Sequence, residues 1–101
     1  MYTIIKTAVF ESWLSALRDR RARSRILARI TRMTAGNLGD VKSLGEGLHE
    51  ARIFYGPGYR LYFLREGRAL IVLLSGGDKS TQRRDIEDAR AMADEWRNNN
   101  E

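Results

Sequence analysis

The chain has 101 residues, 43% hydrophobic and 31% charged, with 18 Lys plus Arg against 13 Asp plus Glu, a net charge of +5 and a pI near 10.1. This allows one domain with a single modest core, argues against wholesale disorder, and gives a basic balance that suits a nucleic-acid partner. The absence of cysteine excludes a disulfide framework and thiolate metal sites, and with no signal-peptide pattern and no apolar run of membrane-spanning length, a soluble cytoplasmic protein is expected.

Residues 2–5 are β-rich and lead into Thr7, a good N-cap, so a first strand should run straight into a helix. Phe10, Trp13, Leu14 and Leu17 then recur at helical spacing as one apolar stripe. The stripe breaks near Arg18 to Arg21, where Asp19 can cap a second helix carrying Ile26, Leu27, Ile30 and Met33 and ending at Gly36. So short a connection predicts an antiparallel helical hairpin. Residues 18–32 hold seven arginines and one acid, whereas residues 77–101 hold five basic and seven acidic groups. Arg21, Arg25 and Arg29 are taken as RNA-phosphate contacts, because the guanidinium fork matches phosphate oxygens.

Residues 34–47, with four glycines, read as a mobile loop anchored by Val41 and Leu44. Residues 48–65, LHEARIFYGPGYRLYFLR, read as a β-hairpin around Gly56, Pro57 and Gly58, with Gly58 left-handed. A three-residue loop would pair Tyr55 with Tyr59, Arg52 with Tyr62 and Phe54 with Arg60. Ala51, Ile53, Leu61 and Phe63 would then share a core face, leaving Glu50, Arg52, Arg60 and Tyr62 on the other. Glu66 and Gly67 look like a two-residue turn into residues 69–74, an apolar run that should be covered on both faces. That turn would set Leu61 opposite Val72, Phe63 opposite Leu70 and Tyr62 opposite Ile71. A last helix begins near Ser80 or Thr81, carries Ile86, Ala89, Ala93 and Trp96 at helical spacing, covers part of the second face, and frays over residues 98–101. The order is strand, helix, helix, strand, strand, strand, helix. This predicts one α+β domain over residues 1–101, with an antiparallel sheet, an N-terminal helical hairpin on one face and a C-terminal helix.

Conventional catalytic constellations are mostly missing. His49 is the sole histidine and falls on the core side of its strand, and no GxSxG is present. Neither a metal nor a cofactor is expected. What remains is cationic: Arg52, Arg60, Lys79, Arg83 and Arg84, with Tyr62, a set suited to phosphate chemistry.

ARIFYGPGYRLYFL followed by LLSGGDKSTQRRDIEDA resembles the RelE/ParE toxin superfamily, and closely its HigB-like branch of addiction-module killer proteins. The likeness covers nearly the whole chain. It implies the RelE-like β-α-α-β-β-β-α fold and a cytoplasmic toxin of a type II toxin-antitoxin system, a ribosome-dependent mRNA endoribonuclease that inhibits translation. It implies as partners mRNA on the ribosome and an adjacently encoded helix-turn-helix antitoxin, with operator DNA met only through the antitoxin. On this resemblance Arg52, Arg60 and Lys79 are the catalytic candidates; Tyr62, Arg83 and Arg84 join the helix arginines as RNA-binding candidates. The chain departs from well-understood members that place a His or Tyr near the C-terminus, offering Lys79, Gln82, Arg83 and Arg84 instead. The same fold also serves gyrase-directed toxins, and a non-catalytic RNA- or partner-binding module is the third alternative.

Overall fold

The computed structural model describes residues 1–100. Nine segments follow one another: β1 (Thr3–Lys6), α1 (Ala8–Ala16), α2 (Arg20–Thr34), β2 (Val41–Gly45), β3 (Leu48–Ile53), β4 (Tyr59–Glu66), β5 (Leu70–Asp78), a 3₁₀ turn (Lys79–Thr81) and α3 (Gln82–Asn99). The α+β class is as expected. The sheet, however, has five strands in the order β1-β5-β4-β3-β2, and β1 lies parallel to β5, so it is mixed rather than antiparallel.

Local chemistry sets the first half. The Thr7 hydroxyl accepts from Phe10 N at 3.1 Å, capping α1, and donates to the Leu74 carbonyl at 2.7 Å, tying the strand-helix junction to β5. Asp19 caps α2 through the amides of Arg21 and Ala22. At the far end Gly36 N bonds to Met33 O and Asn37 N to Arg32 O, the paired bonds of a Schellman stop, with Gly36 at φ +102°.

Phe10 and Ala22, Ile26, Ile30 and Met33 of α2 pack against Ala51, Ile53, Leu61, Phe63, Ile71 and Leu73 on one sheet face, with Trp13, Leu14 and Leu17 partly buried around them. Leu27, expected in the stripe, is 47% exposed, and Ala22 is buried in the same core. The other face carries Leu48, Tyr62, Leu64, Val72 and Leu74 under Ala89 and Ala93 of α3, flanked by Ile86, Met92 and Trp96. The apolar run of β5 is thus covered on both sides, as read.

Four further details differ from expectation. Residues 41–45 form an edge strand instead of a loop, joined to β3 by Glu46 and Gly47, both at positive φ (52° and 82°), as a type I′ hairpin turn requires. The β3–β4 loop spans residues 54–58, five rather than three, so Arg52 lies opposite Arg60 and Ile53 opposite Tyr59. Because the change is by two, the face assignment survives. The β4–β5 turn holds residues 67–69, between paired Glu66 and Leu70, and a bulge follows at Tyr62/Phe63. One residue more reverses the side: Val72 sits behind Leu64 and Leu73 behind Phe63. The C-terminal tail is also more ordered than expected, since α3 runs to Asn99 with Asn100 as its cap; Glu101 lies outside the described residues.

Candidate nucleic-acid interface

Arg52 and Arg60 are direct cross-strand partners, with Gly77 of β5 beside Arg60. The Arg52 guanidinium is held by Asp40 at 2.9 Å, which keeps its pKa above the usual arginine value. Arg60 is more enclosed. Its Nε lies 3.6 Å from the Glu50 carboxylate, and its Nη1 donates to Gly58 O at 3.1 Å. Glu50 is 1% exposed and also accepts from the Gln82 side chain at 3.0 Å, so α3 braces the carboxylate that braces Arg60. Among the described residues, the Nε atoms of both arginines are shielded and lack a hydrogen-bond partner.

Lys79 is exposed at the end of β5. Gly58, at φ +80°, stands between it and Arg60: a Cβ there would lie 3.6 Å from Lys79 Cβ and 3.7 Å from Arg60 Nη1. Arg52, Arg60 and Lys79 are therefore gathered at one end of the sheet. Arg83 and Arg84 are exposed in the first turn of α3, against the positive end of its dipole.

Two candidates leave the surface. Tyr62 is fully buried between the sheet and α3, where no RNA base can stack on it. Burial, then the nearby Glu50 and Asp85 carboxylates, push its phenol far up, so it stays protonated. Its hydroxyl lacks a hydrogen-bond partner among the described residues. Arg29 is 6% exposed and spends its fork on three backbone carbonyls, those of Leu38 (2.9 Å), Arg52 (2.8 Å) and Asp40 (2.7 Å). It is a strut between α2 and β3 rather than a phosphate contact. Arg21 and Arg25 remain exposed on α2, and the Arg25 guanidinium lies 4.6 Å from the centre of the Tyr55 ring. The Tyr55 hydroxyl donates to Asp19 at 3.0 Å, so the hairpin loop is tied to the start of α2. His49 stacks on Phe63 at 5.2 Å and bonds to Gly47 O through Nδ1, a structural placement. Among the described residues no group of three His, Cys, Asp or Glu side chains could hold a metal ion, and no helix is long and apolar enough to cross a membrane.

No protein-family model matches the chain. An uncharacterized protein of Haemophilus influenzae is 49% identical over 89 residues, 88% of this chain and 90% of that protein. The chain belongs to the same family. This family relationship spans most of the chain.

Four residues to which the sequence assigned no site role shape this family member's basic end. Asp40 and Gln82 position Arg52 and Arg60 from outside the hairpin, which only the tertiary fold reveals. Phe54 is 80% exposed, and Arg32 lines a cleft with it. The aromatic pair Phe54-Tyr55 directly before the Gly-Pro-Gly loop was the available signal for Phe54.

Proposed function

We propose that this protein is the toxin of a type II toxin-antitoxin system, a metal-independent endoribonuclease that cuts mRNA on the translating ribosome. The observation carrying the reading is Arg52 set directly opposite Arg60. Like charges facing each other across strands destabilise a sheet, so holding two guanidinium groups there makes sense when a polyanion lies over them. Arg83 and Arg84 at the wrong end of a helix dipole point the same way. The reading is further supported by the coarse element order, a first strand and two helices before the antiparallel strands and a last helix, although β2 is one strand more than the RelE-like resemblance implies.

In the proposed reaction a ribose 2′-oxygen attacks the adjacent phosphorus in line, its proton passing to water. The P–O5′ bond breaks, giving a 2′,3′-cyclic phosphate, and the Lys79 ammonium supplies the proton to the departing 5′-oxygen. Arg52 and Arg60 stabilise the charge that grows on the phosphoryl oxygens. Glu50 and Asp40 fix the two arginines in place. The proposed setting is the cytoplasm, where a helix-turn-helix antitoxin covers the basic end and alone contacts operator DNA. Primer-extension mapping of mRNA ends after brief induction tests the reading: discrete new ends lost in Arg52→Ala and Arg60→Ala are expected. Intact mRNA with DNA damage in its place would overturn it.

A further inference from the structure

A cleft of about 250 Å³ lies where α2 meets the β3–β4 loop, lined by Arg25, Arg29, Arg32, Asp40, Arg52 and Phe54 among others. Four arginines face one acid, and not all are free. The Asp40 carboxylate is occupied by Arg52, and the Arg29 fork is filled by backbone carbonyls. That leaves Arg25 and Arg32, both exposed, with no carboxylate within 4.0 Å among the described residues. They are seven residues apart on α2, two turns on one helix face, roughly 10 Å along the axis. Arg25 is already ordered by stacking on Tyr55, so less rotamer freedom is lost when it grips an anion.

Phe54 is the second, independent observation. A phenyl ring 80% exposed at a loop has no packing role in this fold, and the Arg52 guanidinium lies 6.0 Å from its centre. A flat, open aromatic face beside unpaired guanidinium groups is the combination that holds single-stranded nucleic acid, the ring stacking a base and the cations tracking the backbone. An acidic peptide would satisfy Arg25 and Arg32 but would leave the ring without a partner.

We propose that this cleft is a nucleotide subsite for single-stranded RNA, in which Phe54 stacks one base while Arg25 and Arg32 hold the flanking phosphates. The inference rests on the endoribonuclease reading for its place in a reaction. Arg52 lines the cleft and opposes Arg60, so a strand seated on Phe54 leads its next phosphate onto the arginine pair.

The test is fluorescence-anisotropy titration of a labelled 2′-O-methyl-uridine octamer, which cannot be cleaved. Wild type should bind, Phe54→Ala should weaken binding about 5- to 100-fold, and Arg25→Gln/Arg32→Gln should flatten the slope of log affinity against log salt by about 1.4, at about 0.7 per phosphate contact. Melting temperatures of these surface variants serve as the folding control. No binding by wild type, or wild-type affinity in either variant, overturns the subsite. So does binding of an acidic octapeptide, lost in the double arginine variant, with no binding of the RNA: the cleft then serves a protein partner. Phe54-dependent binding alongside uncut mRNA in the primer-extension assay supports the subsite and removes the nuclease reading alone.

Discussion

Arg29 Nη1 donates a 2.8 Å hydrogen bond to the backbone carbonyl of Arg52, while Nε and Nη2 reach the carbonyls of Leu38 and Asp40. A buried guanidinium therefore joins α2, the segment before β2 and the end of β3 at the residue whose side chain faces Arg60. Burial, then the neighbouring Arg32, lower its pKa, and Asp40 works in the opposite sense. The planar fork makes this possible. A lysine, with donors radiating from one nitrogen, cannot span three carbonyls on two segments.

Arg29→Ala should thus destabilise the fold by about 2 to 5 kcal/mol, since the Leu38 and Arg52 carbonyls lose a partner in a buried setting, while Asp40 O keeps the Arg52 amide. Arg29→Lys should recover less than half of that. Gly39→Ala should act through the same strut: Gly39 sits at φ +71°, and a Cβ there would stand 2.7 Å from Arg29 Nε. Urea denaturation measures all three; a midpoint for Arg29→Ala matching wild type would mean the strut contributes nothing.

Trp13 closes over Gly76 of β5, its ring 5.8 Å from Phe10 and 6.2 Å from Tyr59. A Cβ at Gly76 would run into that ring, so Gly76→Ala must displace it. Each single change, Trp13→Ala and Gly76→Ala, is expected to cost about 2 to 4 kcal/mol. The double variant should cost clearly less than their sum, because the methyl group then fills space the ring has left. Additive losses would show that the two residues do not share the site.

Tyr62→Phe should be neutral or stabilising by up to about 1 kcal/mol, because it removes a buried hydroxyl without a partner beside the Glu50 carboxylate. It should also leave RNA cleavage intact. The pH dependence follows from the sign of the shift. Burial favours the neutral phenol, so the stability it gives is complete below the unfolded pKa of about 10 and falls as pH rises above it, by at most about 1.4 kcal/mol per unit. Tyr55, whose bond to Asp19 raises it most, and Tyr59, raised by burial, retain part of the slope in the variant. An alkaline stability profile identical in wild type and Tyr62→Phe would contradict this.

What was legible in the sequence were features settled within a few residues. The caps at Thr7 and Asp19, the stop at Gly36, the left-handed Gly58 and the two-faced β5 all rest on local chemistry, and each is where the residues placed it. Registers were less legible, because one loop residue decides which face a strand shows: an error of two around Gly56 left the faces intact, and an error of one after Glu66 reversed them. β2 was hidden by its glycines, although Leu-Gly-Glu-Gly-Leu has the form of a tight hairpin turn. In the candidate site, sequence could group Arg52, Arg60 and Lys79 but could not tell Arg25 from Arg29, four residues apart on one helix. The first faces solvent and the second the Leu38 carbonyl, a choice made by the chain's return path after Gly36.

Arg60→Ala bears most directly on mechanism. It removes a guanidinium set opposite Arg52 and should lower RNA cleavage about 10²- to 10³-fold, the usual cost of one preorganised donor to a charged transition state. It is not a clean surface change, because Glu50 is 1% exposed and would keep only Gln82. A carboxylate so stranded should cost about 1 to 3 kcal/mol, which by itself lowers the folded fraction and mimics a catalytic loss. Arg60→Ala/Glu50→Gln separates the two effects, since the amide needs no counter-charge and can still bond to Gln82. The double variant is expected to melt near wild type and to cleave as poorly as Arg60→Ala. Melting temperature and cleavage in a translation extract, read side by side, decide it: cleavage restored together with stability would make Arg60 a structural partner of Glu50, and cleavage still lost in a stable protein would leave it in contact with the phosphate.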